Sequence, residues 1–591
     1  MAIKSYKARK NLIIFAAIAT GITSSPFCLA QTTSPALRRE AQRVSPAPGV
    51  MPRGAPLFLG RSLATVPGFA SPSIHTQQAY NPQSNFTARW TRADAIQIKA
   101  HSDPNVAARQ NSLPSQLTMP AIPANFPSIS PDVWIWDTWT LIDKQANQFS
   151  YNGWEVIFSL TADKNAGYTF DDRHIHARIG YFYRRAGIPA YQRPANGGWI
   201  YGGFLFPNGA SAKVYAGTTY TNQAEWSGST RLIDVTGNKI SVFYTNLAFN
   251  RSASGGNITP PVATITQSLG TIHSDFQHVW FTGFNNHTPL LVPDGTYYQT
   301  GQQNEFYSFR DPFTFEDPDH PGVNYMVFEG NTAGNRGVPS CDAADLGYRP
   351  NDPHAETLQQ VIDGGAYYQK ANIGLAIAQN SALSKWKFLP PLISANCVND
   401  QTERPQVYIK NGKYYIFTIS HRTTFAAGMD GPDGVYGFVG NGIRSDFQPM
   451  NYGSGLVLGN PTDLNTPAGT DFEANPDQNP NAFQSYSHYV MPNGLVESFI
   501  DTIDGVRGGT LAPTVKLRIT RASSAIDLAY GTNGLGAYGN IPANRADINI
   551  AALIADLLGQ RSTASSLLSQ VNGLSQGSMS PSVAQISNFL Q

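Results

Sequence analysis

The chain has little charge. Only 14% of its 591 residues are charged, compared with about 25% in an average globular protein. Its 41 Lys and Arg nearly balance 40 Asp and Glu, which leaves a formal net charge of +1. A surface of this kind argues against nucleic acid or an anionic membrane as the main partner. Hydrophobic residues still make up 41% of the chain, which excludes disorder throughout.

Long apolar runs are also missing. The one apolar stretch near the N-terminus follows four basic residues and extends from about Leu12 to Ile22, too short to span a bilayer. Together with the cleavage-like triplet that ends at Ala30, it is typical of a secretory signal peptide over residues 1–30. A membrane anchor is the alternative, which the short apolar core disfavours. We therefore expect an extracellular or periplasmic protein whose mature chain starts at Gln31 and carries no membrane segment.

Cysteine is scarce. The chain has three, and removal of the signal peptide would leave Cys341 and Cys397. Two cysteines in an exported protein favour a single disulfide, with two buried free thiols as the alternative. A zinc site is disfavoured, because neither residue has a second cysteine or histidine at ligand spacing.

Several familiar catalytic motifs are absent. The sequence has no G-x-S-x-G elbow, no H-E-x-x-H, no phosphate-binding loop and no Rossmann glycine fingerprint. One alternating pair, His174 and His176, could bind a metal, although such a pair is more commonly part of a surface or a strand.

Glycine, proline and aromatic residues are plentiful and indicate turn-rich β structure. The chain has 53 Gly, 41 Pro, 27 Tyr and 31 Phe. The strongest hairpin signal is Asn411-Gly412 between the alternating runs 406–410 and 413–417. Further strands are predicted at residues 154–161, 175–183, 199–206, 240–247, 279–284, 325–329 and 373–378. This pattern fits a sandwich, barrel or propeller, and no copied repeat chooses among them.

Changes in composition predict the domain organisation. Residues 31–125 are rich in Pro, Ala and Ser and predict an extended N-terminal arm, partly laid over a core. Residues 126–525 carry the strand signals and form the main domain. Residues 526–591 form a C-terminal tail, in which an apolar stripe after Ala546 predicts a helix.

Three carboxylates stand out by their context. Asp137 lies among three tryptophans in VWIWDTW, and indole faces pack well on sugar rings. Asp311 lies between arginine and proline in FRDP, and Glu403 lies in DQTERP just before the hairpin. Because the three are far apart in sequence, they could meet only at a central axis or cleft.

Taken in order, these motifs resemble glycoside hydrolase family 68, the levansucrase-type fructosyltransferases, which are relatives of the invertases. The family also has counterparts of EWSGS at 225–229, FEGNT at 328–332 and YSH at 486–488. The likeness covers about residues 125–520. It implies an all-β fold, a five-bladed β-propeller with a funnel-shaped central active site, to which the N-terminal arm and the helical C-terminal tail are added.

The resemblance also implies roles for the three carboxylates. Asp137 matches the nucleophile, Glu403 the acid/base and Asp311 the transition-state stabiliser. Retaining glycoside chemistry needs two carboxyl groups roughly 5–5.5 Å apart, one that attacks the anomeric carbon and one that protonates the leaving group. The residues that match the family's sucrose site are Trp136, Trp226, Ser227, Arg310, Glu329, Gln401, His421 and Tyr486.

The sequence departs from the calcium-binding Gram-positive members of that family. Residues 304–307 do not reproduce their calcium-ligand segment, Gln401 replaces an acidic residue, and His421 replaces an arginine. With Cys341 and Cys397, these changes resemble the Gram-negative branch, including enzymes of acetic-acid bacteria. They imply a disulfide in place of calcium, with no metal and no cofactor.

The resemblance implies a secreted sucrose 6-fructosyltransferase. Sucrose would be the donor, and fructan, sucrose or water the acceptor; we expect a monomer. A sucrose or fructan hydrolase and an inulin-forming enzyme are alternatives on the same site. A fructan-binding module without turnover is a third, which the presence of all three carboxylates disfavours because a lectin needs neither nucleophile nor acid.

Overall fold

The computed structural model describes residues 85–102, 111–209, 214–215, 218–234, 238–250, 252, 260–465, 479–543 and 545–547. The expected signal peptide and almost all of the expected C-terminal helix lie outside these residues, as do residues 31–84 of the N-terminal arm. Among the described residues, no helix has both the length and the apolar character needed to cross a membrane.

Strands dominate the regular structure. In chain order they are β1 (Ala88–Arg89), β2 (Val133–Ile142), β3 (Phe149–Tyr151), β4 (Trp154–Asp163), β5 (Arg178–Arg185), β6 (Ile200–Phe204), β7 (Val214–Tyr215), β8 (Thr218–Thr219), β9 (Asn222–Asp234), β10 (Lys239–Phe249), β11 (Val262–Ser274), β12 (Val279–Leu291), β13 (Phe309–Glu316), β14 (Asn324–Asn331), β15 (Lys370–Ala378), β16 (Trp386–Asn396), β17 (Glu403–Lys410), β18 (Lys413–Ser420), β19 (Gly434–Gly440), β20 (Gln448–Pro449), β21 (Leu456–Gly459), β22 (Ser485–Val490), β23 (Leu495–Ile503), β24 (Val506–Leu511), β25 (Val515–Thr520), β26 (Ser523–Ile526) and β27 (Arg545–Asp547).

Helices are few and short. The α-helices are α1 (Arg92–Ala100), α2 (Ala343–Leu346) and α3 (Leu358–Asp363). Single 3₁₀ turns occur at Ser115–Leu117, Arg173–His176, Ala190–Gln192, Ala366–Tyr368 and Arg422–Thr424.

The hairpin predicted from Asn411-Gly412 is confirmed. Strands β17 and β18 pair with Lys410 opposite Lys413, and the two turn residues have φ of 52° and 69°. Positive φ at both positions is what the tight two-residue hairpin turn requires, and Asn-Gly tolerates it. The other predicted strands are also present, except that the one expected from residue 175 begins only at Arg178. Residues 175 and 176 instead end the 3₁₀ turn Arg173–His176, which comes directly after the hydrogen-bonded pair Thr169 and Asp172.

The strands form successive antiparallel groups around a centre. These groups are β2-β4-β5-β6, β9-β10-β11-β12, β13-β14-β15-β16, β17-β18-β19 with β20 and β21, and β22-β23 with β24, β25 and β26. The first strand of each group contacts the first strand of the next: β2 contacts β9, β9 contacts β13, β13 contacts β17, β17 contacts β22, and β22 contacts β2. These contacts close a ring, so the fold is propeller-like and the first strands surround a common axis.

Part of the segment assigned to the N-terminal arm packs onto this body. Strand β1 pairs with β16, and Trp90 packs its indole against Tyr436 with ring centroids 5.1 Å apart. The following helix α1 was not predicted from the sequence. It begins with a capping box in which Thr91 and Asp94 satisfy each other's backbone N–H groups.

Cys341 and Cys397 form a disulfide with Cα atoms 5.9 Å apart, which confirms the predicted pairing. Cys397 directly follows β16 and precedes the segment that carries Gln401 and Glu403. Its carbonyl oxygen accepts a hydrogen bond of 2.7 Å from the buried guanidinium of Arg92. The disulfide and helix α1 therefore both hold the chain that leads into the predicted acid/base.

We expect the disulfide to stabilise the fold by restricting the unfolded chain. Because the cysteines have a sequence separation of 56, the replacement of both by serine should lower the free energy of unfolding by about 4 kcal/mol in the chain-entropy model. Denaturant unfolding of the two proteins measures the difference. Reductant should lower the midpoint of the unmodified chain and leave the double variant unchanged; an equal response of both proteins would contradict this role.

Candidate active site

The three predicted catalytic carboxylates lie at irregularities in the first strands. The register of β2 shifts between Ile135 and Thr138, beside Asp137. The register of β13 shifts after Arg310, and that of β17 shifts after Glu403. β-Bulges turn side chains out of the regular alternation and are common beside active sites. Each of the three sheets thereby directs a carboxyl group towards the central axis.

Backbone strain is concentrated at the same places. Asp311, Arg404 and Ser487 all have positive φ, of 62°, 45° and 58°. Each of these residues is buried, and side chains other than glycine adopt this conformation only where the surroundings impose it. The strained residues belong to three different first strands, and their side chains or backbone contact one another around the pocket.

Asp137 has both carboxylate oxygens fixed by hydroxyl groups. Ser227 Oγ donates to Oδ2, and Ser487 Oγ donates to Oδ1 at 2.5 Å. Gly228 allows the close approach of β9 and β10 beside Ser227, because a Cβ there would lie 1.8 Å from the Phe243 carbonyl oxygen. The carboxylate is 7% exposed and its orientation is set from two neighbouring sheets.

Asp311 keeps one oxygen available. Its Oδ2 accepts the backbone N–H of Arg404 at 3.1 Å, while its own N–H donates to Thr245 Oγ1 at 3.0 Å. Its Oδ1 is buried and has no hydrogen-bond partner among the described residues. Burial raises the pKa of Asp311 to about 7, with Asp137 and Glu403 adding to the rise and Arg310 opposing it. A hydroxyl-bearing ligand would give Oδ1 the donor that it lacks.

Arg310 joins Glu403 to a second buried carboxyl group. Its Nη2 donates to Glu403 Oε1 at 2.7 Å, and its Nε lies 2.7 Å from Glu329 Oε2. Tyr486 OH donates to the other oxygen of Glu403. Burial raises the pKa of Glu329 well above its usual range, with Glu403 and Asp311 adding to the rise and Arg310 opposing it. Arg310 therefore holds the carboxyl groups of Glu329 and Glu403 side by side.

His421 lies flat against Tyr486. The two ring centroids are 3.5 Å apart with an interplanar angle of 12°. His421 Nδ1 lies 2.7 Å from Asp433 Oδ2. Burial alone would lower the pKa of His421, but Asp433 and Glu403 outweigh it and raise that pKa above its ordinary value. Asp433 thus fixes the imidazole ring of His421 through Nδ1. The other ring nitrogen, His421 Nε2, is the one left for other partners.

Trp136, Trp226 and Gln401 complete the predicted set. The ring centroid of His174 lies 5.9 Å from that of Trp136 and 6.1 Å from that of Trp226. The backbone carbonyl oxygen of His174 also accepts a hydrogen bond from Trp226 Nε1. Trp136 Nε1 and Gln401 Oε1 are buried without a hydrogen-bond partner in the described structure. Aromatic faces beside unpaired donors and acceptors suit a ligand with both C–H and O–H groups.

The two histidines of the alternating pair point to different environments. His174 is buried between the indoles, and burial together with Arg173 and Arg310 lowers its pKa well below the usual range. His176 instead stacks on Tyr168. Across the described ranges, no group of three or more His, Cys, Asp or Glu lies close enough to hold a metal ion.

The structure brings every predicted site residue into this one region, and it adds others. Ser487 and Arg404 are next to predicted residues in the YSH and ERP motifs, so the motifs could have indicated them. Asp433 and Thr245 carry no signal in the sequence, because neither belongs to a motif. Arg404 donates to the backbone and side-chain oxygens of Ser487, which ties the strand that carries Glu403 to the strand that fixes Asp137.

Comparisons with known proteins identify the family to which this chain belongs. Residues 79–542 match the family model for levansucrase and invertase. A levansucrase of Gluconacetobacter diazotrophicus is 78% identical over 523 residues, which are 88% of this chain and 90% of that protein. The crystal structure of levansucrase from that organism is 79% identical, with a TM-score of 0.80, and covers 83% of this chain and 100% of the other. The β-fructofuranosidase catalytic domain of Microbacterium saccharophilum K-1 is 56% identical, with a TM-score of 0.78, and covers 81% and 98%.

The raised pKa of Asp311 predicts a cost in stability. Its carboxyl has a pKa of 3.8 when unperturbed and about 7 in the folded chain, which therefore binds the proton more tightly. Stability should fall as the pH rises from about 4 to about 7, by up to roughly 4 kcal/mol for a change of about 3 in pKa. Asp311→Asn should remove this loss and be more stable than the unmodified chain at about pH 8.

Denaturant unfolding at acidic and alkaline pH measures the difference. Asp504→Asn, in an exposed turn with φ of 50°, is the matched control because asparagine tolerates that conformation. A stability difference between Asp311→Asn and the unmodified chain that is the same at both pH values would contradict the prediction.

Proposed function

The chain belongs to the levansucrase and invertase family, glycoside hydrolase family 68, and we propose from this premise how its pocket works. The chain is a levansucrase-type fructosyltransferase, which cleaves sucrose and transfers the fructosyl group to growing levan, to fructo-oligosaccharides or to water. The observation that carries the assignment is the meeting of Asp137, Asp311 and Glu403 in one buried pocket. The 78% identity to a levansucrase over most of the chain supports the same activity.

We propose that the architecture is a five-bladed propeller. Support comes from the closed ring of β2, β9, β13, β17 and β22, each of which begins an antiparallel group. Asp311 and Glu403 lie near the starts of β13 and β17, so we place the mouth of the funnel at that end of the ring.

Asp137 is the nucleophile in this proposal. Its carboxylate attacks the anomeric carbon of the fructosyl unit while the bond to the glucosyl oxygen breaks. Glu403 gives its proton to that oxygen, so glucose leaves neutral and the fructosyl unit is bound as an ester to Asp137. Glu403 then takes the proton of the acceptor hydroxyl, which attacks the same carbon and restores Asp137.

The neighbouring residues prepare these two carboxyl groups. Ser227 and Ser487 hold both oxygens of Asp137 so that one can attack without reorientation. Arg310 and Tyr486 hold Glu403 from opposite sides. The unpaired Oδ1 of Asp311 accepts a fructosyl hydroxyl, and a fixed anion there stabilises positive charge that develops on the sugar ring.

The remaining predicted residues bind the sugars. Trp136 and Trp226 pack on the fructosyl unit, and Glu329 fixes Arg310 from behind. Gln401 and His421 contact the glucosyl side and the acceptor. No metal or cofactor takes part in the reaction. The enzyme is secreted in a mature form that lacks residues 1–30, and it acts as a monomer.

A sucrose or fructan hydrolase on the same site is the second candidate. The 56% identity to a protein named β-fructofuranosidase favours it, whereas the higher identity to a levansucrase favours transfer. The ratio of glucose to free fructose released from sucrose decides between them. A ratio close to one indicates hydrolysis, and an excess of glucose with polymer indicates transfer.

Asp137→Asn should fold normally and lose sucrose cleavage by several orders of magnitude, because an amide cannot form the covalent intermediate. Glucose release from sucrose measures the loss, and a melting curve checks the fold. Asp504→Asn makes the same chemical change in an exposed turn and should keep full activity. Turnover near that of the unmodified enzyme in folded Asp137→Asn would remove Asp137 from the mechanism.

His421→Leu should shift the products towards free fructose, with a smaller fall in sucrose cleavage. Leucine cannot form hydrogen bonds, so the acceptor loses a contact while Asp137 and Glu403 stay in place. Asp433→Asn should shift the products the same way but less, because it only loosens the ring of His421. Equal glucose-to-fructose ratios for all three proteins at matched sucrose conversion would exclude this role.

A further inference from the structure

A second cavity of about 470 Å³ lies beside the active site, where the β2-β4-β5-β6 group meets the start of β9. Its walls include Tyr168, His176, Arg178, Phe204 and Gln223. The volume is within the range of about 300–1,000 Å³ that small-molecule sites occupy. The proposed mechanism uses none of these residues.

Two flat surfaces form much of the wall. Tyr168 and His176 stack almost in parallel, with centroids 3.7 Å apart and an interplanar angle of 6°. Elsewhere in the lining, the guanidinium carbon of Arg178 lies 4.6 Å from the ring centre of Phe204. Preformed planar surfaces of this size offer faces on which the C–H groups of a sugar ring can pack.

The wall also carries an unsatisfied amide. Both side-chain polar atoms of Gln223, Oε1 and Nε2, are buried and have no hydrogen-bond partner in the part of the chain that the structure describes. An amide in this state destabilises the fold unless something pairs with it. Sugar hydroxyls both donate and accept, so a sugar in the cavity could satisfy both atoms after a small rotation of the side chain.

The charges around the cavity favour a neutral ligand. Arg178 is neutralised by the buried Glu225, whose Oε1 accepts from Arg178 Nε at 2.8 Å. Asp163 contributes a carboxylate at the wall, which would repel phosphate or another acid but accept hydroxyl donors.

One short turn separates the cavity from the catalytic pocket. In the 3₁₀ turn Arg173–His176, His174 contacts Trp136 and Trp226, whereas His176 lines the cavity. Along β9, Gln223 precedes Trp226 by three residues, which is about 10 Å of strand, and their side chains leave opposite faces of it. The turn Arg173–His176 is therefore the connection between the cavity and the catalytic pocket.

We propose that this cavity is an accessory binding site for the growing fructan, a neutral oligofructoside. The identity of the sugar rests on the proposed function. By holding the product chain close to the covalent intermediate, the site would raise the effective concentration of that acceptor and favour long polymers over short oligosaccharides.

Phe204→Ala and Gln223→Leu test the proposal. Gln223→Leu removes the hydrogen-bonding groups at nearly constant volume, and it should not destabilise the fold because it also removes an unsatisfied amide. Tyr191→Ala is the matched control, since Tyr191 is 85% exposed and outside the cavity. Melting curves of all three variants verify that they fold.

Two measurements follow, both on the full chain. With Asp137→Asn as background, calorimetry with a levan-type fructo-oligosaccharide should give affinities about two- to tenfold weaker for both cavity variants, as expected for the loss of one aromatic or hydrogen-bonding contact. A malto-oligosaccharide of equal length is the comparison sugar and should bind poorly to every variant. In active enzyme, both cavity variants should release glucose at the normal rate but make shorter fructans.

Unchanged affinity and unchanged fructan length in both cavity variants would overturn the proposal. The proposal would also be overturned if a malto-oligosaccharide bound as tightly as the fructo-oligosaccharide and if its affinity fell by the same factor in the cavity variants. If the unmodified chain releases no glucose from sucrose, the proposed function itself fails, and this outcome is distinct from a failure of the cavity alone.

Discussion

Four buried carboxyl groups share one pocket with few cations, and the rest of the site is organised around this excess of negative charge. Asp137, Asp311, Glu329 and Glu403 are each at most 7% exposed. Arg310 forms ion pairs with three of them, Asp311, Glu329 and Glu403, and its own pKa is raised because their charges outweigh its burial. Since burial of an unpaired charge is very unfavourable, part of this negative charge has to be removed by bound protons. Burial and the neighbouring carboxyl groups raise the pKa of both Asp311 and Glu329.

The scaffold keeps these groups together against their repulsion. Each of the four carboxyl groups lies on a different strand. They are held in place by hydrogen bonds from the backbone or from serine, arginine and tyrosine side chains. Arg404 is the clearest case, because it contacts Ser487 and the Thr138 carbonyl oxygen while its N–H holds Asp311. Its own positive φ and that of Asp311 show that the local backbone is strained to make these contacts.

Sequence reasoning found the residues whose chemistry is concentrated in short motifs. The hairpin at Asn411-Gly412 followed from turn chemistry alone, and the carboxylates followed from ordered motifs that resemble a known family. Asp433 and Thr245 were missed because their contacts join strands or loops that are distant in sequence, and no local pattern records such a pairing. Helix α1 was missed for a related reason: its short, weakly periodic sequence is stabilised by burial of Arg92 against Glu356 and the Cys397 carbonyl oxygen.

The unsatisfied polar atoms of the pocket carry information that neither motif nor fold supplies. Trp136 Nε1, Asp311 Oδ1 and Gln401 Oε1 are all buried without partners in the described structure. In a folded protein such atoms are rare, because each loses its hydrogen bonds to water on burial. One of these atoms, on an indole ring, is a donor and the other two are acceptors. A ligand that satisfies them must offer both kinds of hydroxyl contact and an apolar face, which describes a sugar ring. Gln223 extends the same argument to the second cavity, where a donor and an acceptor on one amide lie beside two flat surfaces. The two sites therefore favour the same class of ligand, although only the first has the carboxyl groups that can cleave it.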